Sequence, residues 1–152
     1  MIIRELEEKD IQTYFDDISE HLRNCFVSSY EDIPTDEFLC GKIVQLKEYI
    51  GNHSAFVFGA IDKENLIGFL WGYPMTTPLS EVFHVAYISV KENMRGKGIG
   101  HKLISEAEQT AEKLGLKVIE LITGEKNQSA LHFYYETGYS VDRYVMRKHL
   151  GK

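Results

Sequence analysis

Cysteine is scarce in this chain of 152 residues: Cys25 and Cys40 are the only two, and they form no Cys-x-x-Cys pair. That excludes a disulfide scaffold and a zinc ribbon, and both residues read as free thiols of a reducing compartment. Proline is equally rare, with three in the whole chain, and no repeat or Pro/Gly/Ser-rich linker interrupts it, so residues 1–152 are expected to form one domain. Long apolar runs are missing too. No stretch approaches the ~18 consecutive apolar residues of a membrane-spanning helix. Met1-Ile2-Ile3 passes directly into Arg4-Glu5-Leu6-Glu7-Glu8 without the basic head and apolar centre of a signal peptide, which points to the cytoplasm and away from a membrane. Basic charge is in deficit: 17 Lys and Arg face 23 Asp and Glu, for a net charge of −6. A general affinity for nucleic acid or anionic lipid is therefore excluded, and any anionic ligand must be met by a local cluster. The histidines His21, His53, His84, His101, His132 and His149 show no short ligand spacing, so no metal is expected.

What is present is clear periodicity. After a short strand near Ile2 to Leu6, the residues Ile11, Tyr14, Phe15, Ile18, Leu22, Cys25 and Phe26 form the apolar stripe of one helix. Pro34-Thr35 supplies a turn and a helix cap, and Phe38, Leu39, Ile43, Leu46 and Ile50 continue a second helix that Gly51 can stop. Ala55 to Ile61 and Leu66 to Tyr73 flank the polar turn Asp62 to Asn65 as an antiparallel hairpin. Pro74 and Pro78 bracket a loop, and Glu81 to Val90 returns as a third strand. Ile99, Leu103, Ala107, Ala111 and Leu114 define a helix ended by Gly115, and Lys117 to Ile122 is extended again, which makes a parallel crossover unit. A last helix, capped by Asn127 and closed by Gly138, precedes a final strand over Tyr139 to Leu150. The predicted order is β-α-α-β-β-β-α-β-α-β, an α/β (α+β) mixed sheet with helices on its faces.

The chemistry concentrates in Arg95-Gly96-Lys97-Gly98-Ile99-Gly100. Alternate glycines let backbone N–H groups turn toward one concavity, and the helix that begins there adds its positive end, so the turn suits a phosphate or diphosphate. Arg95 and Lys97 add charge. The bland reading is a tight strand-to-helix turn. A Walker loop fails because Gly98 stands where Ser or Thr must follow Gly96-Lys97. A dinucleotide fingerprint is poor because His101 replaces the third glycine, although Glu120 lies near the ribose-binding spacing.

The hexapeptide, following the strand Val85 to Val90, resembles the cofactor signature of the GNAT superfamily, the Gcn5-related N-acetyltransferases. Asn127, Ala130, Phe133-Tyr134 and Gly138-Tyr139 match a second element of that family, and Met146-Arg147-Lys148 with Leu150 look like its last strand. The resemblance is specific over Val82 to Leu150 and architectural over residues 1 to 80. It implies the GNAT fold, a mostly antiparallel sheet whose fourth and fifth strands splay, and acetyl-CoA as cosubstrate. The pantetheine arm would pair along Ile88, Ser89 and Val90, and the diphosphate would meet the amides of Arg95, Gly96, Lys97, Gly98, Ile99 and Gly100. Asn127 either hydrogen-bonds the cofactor or only caps its helix. Tyr134 is implied as the general acid for the leaving thiolate, with Tyr135 its confusable neighbour. His84 stands where some members place a strand glutamate and is the candidate base; Glu81, Tyr87 or ordered water are alternatives.

The expected activity is N-acetyl transfer to a primary amine by direct attack in a ternary complex. The acceptor would be a small-molecule amine or a protein N-terminus or lysine, and a homodimer is left open. A noncatalytic acyl-CoA sensor of the same fold is the alternative. The acidic group Glu31, Asp32, Asp36 and Glu37 could draw in a cationic acceptor or could be a solvated helix start. Trp71, Tyr73 and the Pro74 to Pro78 loop could wall the acceptor pocket or serve the core and the hairpin.

Overall fold

The hairpin turn at Lys63, whose φ of 58° is left-handed, seeds the centre of a five-stranded sheet. In the computed structural model, which describes residues 1–30 and 33–151, strands β1 (Ile2–Glu5), β2 (Phe56–Asp62), β3 (Asn65–Thr76), β4 (Glu81–Val90) and β5 (Ile119–Leu121) lie side by side in chain order. The first three pairings are antiparallel, and β5 joins β4 in parallel. Glu31 and Asp32 of the acidic group lie outside the described residues.

Among the described residues, five α-helices cover the two faces: α1 (Glu8–Thr13), α2 (Phe15–Tyr30), α3 (Asp36–Gly51), α4 (Ile99–Lys113) and α5 (Gln128–Glu136). On one face Ile11, Ile18, Leu22, Leu39, Ile43 and Leu46 bury against Phe69 and Trp71. On the other, Ile99, Leu103, Ile104 and Ala107 bury against Leu70, Phe83 and Val85. Gly68 permits this second layer, because a Cβ there would stand 2.9 Å from Ile99. None of the helices in the described residues is long and apolar enough to cross a membrane.

Three details differ from the sequence expectation. The single helix expected from Ile11 to Phe26 breaks at Tyr14 into α1 and α2. Each half is tied to a different strand: the Arg4 guanidinium donates to both Asp10 oxygens (2.8 and 2.9 Å), whereas Asp17 accepts from the Leu66 N–H and from Lys91 Nζ. The stripe survives because the Ile18 N–H still reaches the Tyr14 carbonyl (2.8 Å). Pro74, expected in a loop, lies inside β3 opposite Phe83, so the connection shrinks to the Thr77–Ser80 turn, held by the Thr77 hydroxyl.

The final strand expected over Tyr139 to Leu150 is not formed within this sheet. The chain leaves α5 through Gly138 (φ 95°), and the Tyr139 N–H binds the Tyr134 carbonyl. Residues 140–151 then run exposed and without regular structure. A strand needs an edge to pair with, and sequence alternation alone does not provide one.

One irregularity matters for the site. Trp71 pairs with Tyr87 but Gly72 pairs with Val85, so β4 carries Ala86 as an extra residue in a bulge. β5 accompanies β4 only from Phe83 to Val85. Beyond the bulge the two strands part, as the family resemblance implied.

Candidate active site

The parted strand offers a backbone edge whose phase can be read from its hydrogen bonds. The Lys91 N–H binds the Ile67 carbonyl across β3 (2.9 Å), so with a period of two Ser89 also directs its peptide groups toward β3. Ile88 and Val90 therefore turn theirs outward. Two side chains confirm this: Cys25 Sγ donates to the Ile88 carbonyl (3.4 Å) and Arg95 Nε to the Val90 carbonyl (3.2 Å).

Ser89 consequently has a different place from its two neighbours. Its hydroxyl meets His21 Nδ1 (2.9 Å), and His21 Nε2 meets the Leu66 carbonyl (2.9 Å). A carbonyl only accepts, so Nε2 carries the proton and Ser89 donates to Nδ1. His21 is fully buried, and burial holds its pKa below the ordinary value, which keeps it neutral in this bridge between α2, β3 and β4.

The glycine turn adjoins the same edge. Gly96 (φ 77°) and Gly98 (φ 79°) both adopt left-handed backbone, and space for a Cβ is open at each, so conformation rather than crowding requires glycine there. The first bond of the α4 ladder runs from the Lys102 N–H to the Gly98 carbonyl, leaving the N–H groups of Ile99, Gly100 and His101 ahead of it. No acidic residue occupies this first turn. Arg95 and Lys97 are exposed beside it. The Ile99 side chain is core, so only its peptide is on offer, and Gly100 lets Phe133 approach, since a Cβ there would stand 3.2 Å from its ring. Asn127 Oδ1 caps α5 by accepting the Ala130 N–H (3.3 Å).

Tyr134 projects from α5 into the buried layer beside Tyr139, whereas Tyr135 is 54% exposed. Burial first, and then the neighbouring Cys25, push the Tyr134 phenol well above its usual range, so it is protonated at neutral pH. Burial likewise pushes the Cys25 thiol up to about 12. That makes it a poor nucleophile next to the Ile88 carbonyl.

Sequence reasoning passed over Glu120 except as a ribose-spacing coincidence. In the structure its Oε2 lies 2.9 Å from His84 Nδ1, across the β4–β5 pairing. Strand alternation held the signal: Ile119 and Leu121 face the α4 layer, so Glu120 must face the other way, toward His84. The Tyr73 ring stands 5.4 Å from the imidazole. The other base candidates differ: Glu81 is exposed at the start of β4, and the Tyr87 ring packs at a tilt against Trp71 (5.1 Å) and Phe26 (5.7 Å). Of the two roles open to Trp71, the structure gives it the core, where it is only 3% exposed. Asp36, from the acidic group, binds Arg23 (2.7 Å) and lines a groove of about 430 Å³ with Asp16 and Glu20.

The chain is similar to known proteins in sequence and in fold. The chain is 30% identical to the uncharacterized N-acetyltransferase YhfO of Bacillus subtilis over 64% of its own length and 66% of the relative's. Across the curated relatives it matches, the aligned part spans from about a quarter to about two thirds of their length. Its fold is that of a tetramutant of the BH1408 protein from Bacillus halodurans (TM-score 0.82, 20% identity, 99% of this chain and 100% of that one). It is also that of a predicted acetyltransferase from Clostridium acetobutylicum solved with acetyl-CoA (TM-score 0.78, 13% identity, 98% and 96% covered). The profile of the acetyltransferase (GNAT) family matches residues 15–139, and this chain is a member of that family.

Proposed function

We propose that the protein is an acetyl-CoA-dependent N-acetyltransferase acting on a primary amine by direct transfer in a ternary complex. The observation that carries this reading is the outward phase of Ile88 and Val90 where β4 leaves β5, in line with the unpaired amides at the start of α4. Ile88 and Val90 would pair with an amide-bearing arm as an added strand, and the peptides from Arg95 to Gly100 would take a diphosphate, with Arg95 and Lys97 adding charge. Ser89 holds the strand from behind through His21. When bound, acetyl-CoA supplies an activated thioester.

An alkylamine with a pKa near 10.4 arrives as an ammonium ion, so a base must take its proton. In this reading His84 does so at Nε2, because Nδ1–H donates to Glu120 and fixes the tautomer. An outward N–H of β4 stabilises charge gathering on the carbonyl oxygen, a contribution of about 2.7 to 4 kcal/mol for one well-placed donor. Tyr134 O–H protonates the departing sulfur. Cys25 stays a thiol, so no acyl-enzyme is invoked. Acceptors of this reading are small-molecule amines or the N-terminus or lysine of a protein, and free Cys25 and Cys40 suit a reducing cytoplasm.

Calorimetry with acetyl-CoA, followed by thiol release against a panel of polyamines, amino sugars, aminoglycosides and peptides, tests the proposal. Uptake together with amine-dependent thiol release supports it. Uptake without release for any amine would reassign the protein as an acyl-CoA sensor, and no uptake by folded protein would remove both readings.

A further inference from the structure

Arg95 is bound to backbone where other arginines of this chain are bound to acid. Arg4 pairs with Asp10, Arg23 with Asp36 and Arg143 with Asp142. Among the described residues the Arg95 guanidinium makes one hydrogen bond, from Nε to the Val90 carbonyl (3.2 Å). That carbonyl belongs to the outward edge of β4, where the proposed function docks an amide-bearing arm. An added strand binds such a carbonyl through an N–H of its own, so the arm and Arg95 Nε are rivals for one acceptor. The other outward carbonyl, that of Ile88, is held more lightly, because its partner is the Cys25 thiol at 3.4 Å, a weak donor. A guanidinium is a charged and stronger donor, so Val90 is the guarded position.

The same side chain has a second anchor available. Arg95 is exposed, follows the 3₁₀ turn Glu92–Met94 and opens the glycine turn into α4. Its two Nη groups make no hydrogen bond among the described residues. An anion at the amides ahead of α4 would draw the guanidinium into the forked pairing with phosphate oxygens that its geometry favours.

We infer that Arg95 is a specificity-determining residue for the acyl donor: it guards the Val90 carbonyl until a diphosphate draws it away. The inference rests on the proposed function. It makes the two ends of the donor positively coupled, and the coupling is reciprocal. A pantetheine thioester without a diphosphate must displace Arg95 uncompensated, and the protein discriminates against it.

The test uses the full chain, titrated with S-acetylpantetheine in the presence and absence of inorganic pyrophosphate and followed by ligand-observed NMR, beside calorimetry with acetyl-CoA. Pyrophosphate at saturation should tighten S-acetylpantetheine by about fivefold or more, the lower end of ordinary coupling. Arg95→Leu should act with opposite sign on the two donors: S-acetylpantetheine tightens without pyrophosphate, the pyrophosphate effect disappears, and acetyl-CoA weakens. Lys97→Ala controls for charge alone, since Lys97 Nζ meets Met94 Sδ (3.8 Å) and not β4. It should weaken acetyl-CoA and leave S-acetylpantetheine unchanged. Pyrophosphate that competes or has no effect, equal S-acetylpantetheine affinity in wild type and Arg95→Leu, or no S-acetylpantetheine uptake in any mixture would overturn the inference, while acetyl-CoA uptake would leave the proposed function standing. Folded wild type that takes up no acetyl-CoA would remove both. If Arg95→Leu fails to fold, the pyrophosphate effect on the wild type decides.

Discussion

Tyr134 and Tyr135 are adjacent in sequence, yet only the first is buried beside the proposed thioester site, and that contrast makes the acid role testable. Tyr134→Phe should lower kcat by about 100-fold, the lower end of general-acid effects, while acetyl-CoA affinity stays within twofold; Tyr135→Phe should change neither. His84 and Glu120 act as a unit in this reading. His84→Ala and Glu120→Gln should each reduce kcat, and the double variant should be no slower than His84→Ala alone, because Glu120 works only through the imidazole. Additive losses in that cycle would separate them. His21 gives a pH signature in stability and not in rate. Its folded pKa is depressed by burial, so its contribution is complete above the unfolded value of about 6.5 and is lost as pH falls below it. Melting temperature should therefore drop between pH 7.5 and 5.5, and His21→Gln, costing about 1 to 3 kcal/mol at pH 7.5, should flatten that dependence. The motif singles out Tyr134 from Tyr135, and burial distinguishes the same residue. Glu120 and His21 were not legible, because each meets a partner tens of residues away on β4, His84 for Glu120 and Ser89 for His21.

The strand-to-helix turn was the most legible element, since alternate glycines announce left-handed backbone directly and the structure has it at Gly96 and Gly98. Gly98→Ala should cost about 1 to 2 kcal/mol through that conformation alone, and it should weaken acetyl-CoA binding by disturbing the amides ahead of α4, as calorimetry would show. The stripes of α2, α3 and α4 were equally plain, and Thr35 caps α3 as its position suggests, accepting the Phe38 N–H at 3.1 Å. The break at Tyr14 was hidden because the apolar spacing runs through it unbroken. Only the separate anchors at Asp10 and Asp17 mark the break into two helices. Pro74 misled for the opposite reason: proline marks loops on average, but a strand tolerates it where no ladder bond is required of its nitrogen.

For the molecule as a whole, the order of elements through α5 followed from periodicity apart from the split at Tyr14, whereas the fate of residues 140–151 did not. A strand pattern states what a segment can pair with and is silent on which edge is free. The acceptor is obscured for a related reason: the face bearing His84, Tyr73 and the acidic groove is assembled from α2, α3 and two strands, with no contiguous signature.

The Ala86 bulge absorbs one surplus residue of β4 without changing the phase on which the proposed docking edge depends. His84 before it and Tyr87 and Ser89 after it share the α2 side, and Ile88 and Val90 present their peptides to the gap. Deleting Ala86 would leave Tyr87 opposite Trp71 and Ile88 opposite Leu70, so that phase should persist, whereas one further residue that the bulge does not absorb would turn Ile88 and Val90 toward β3 and Ser89 away from His21. Calorimetry should find acetyl-CoA uptake kept by the deletion and lost with the insertion. The strand ought thus to bear the loss of its one surplus residue more readily than the gain of another.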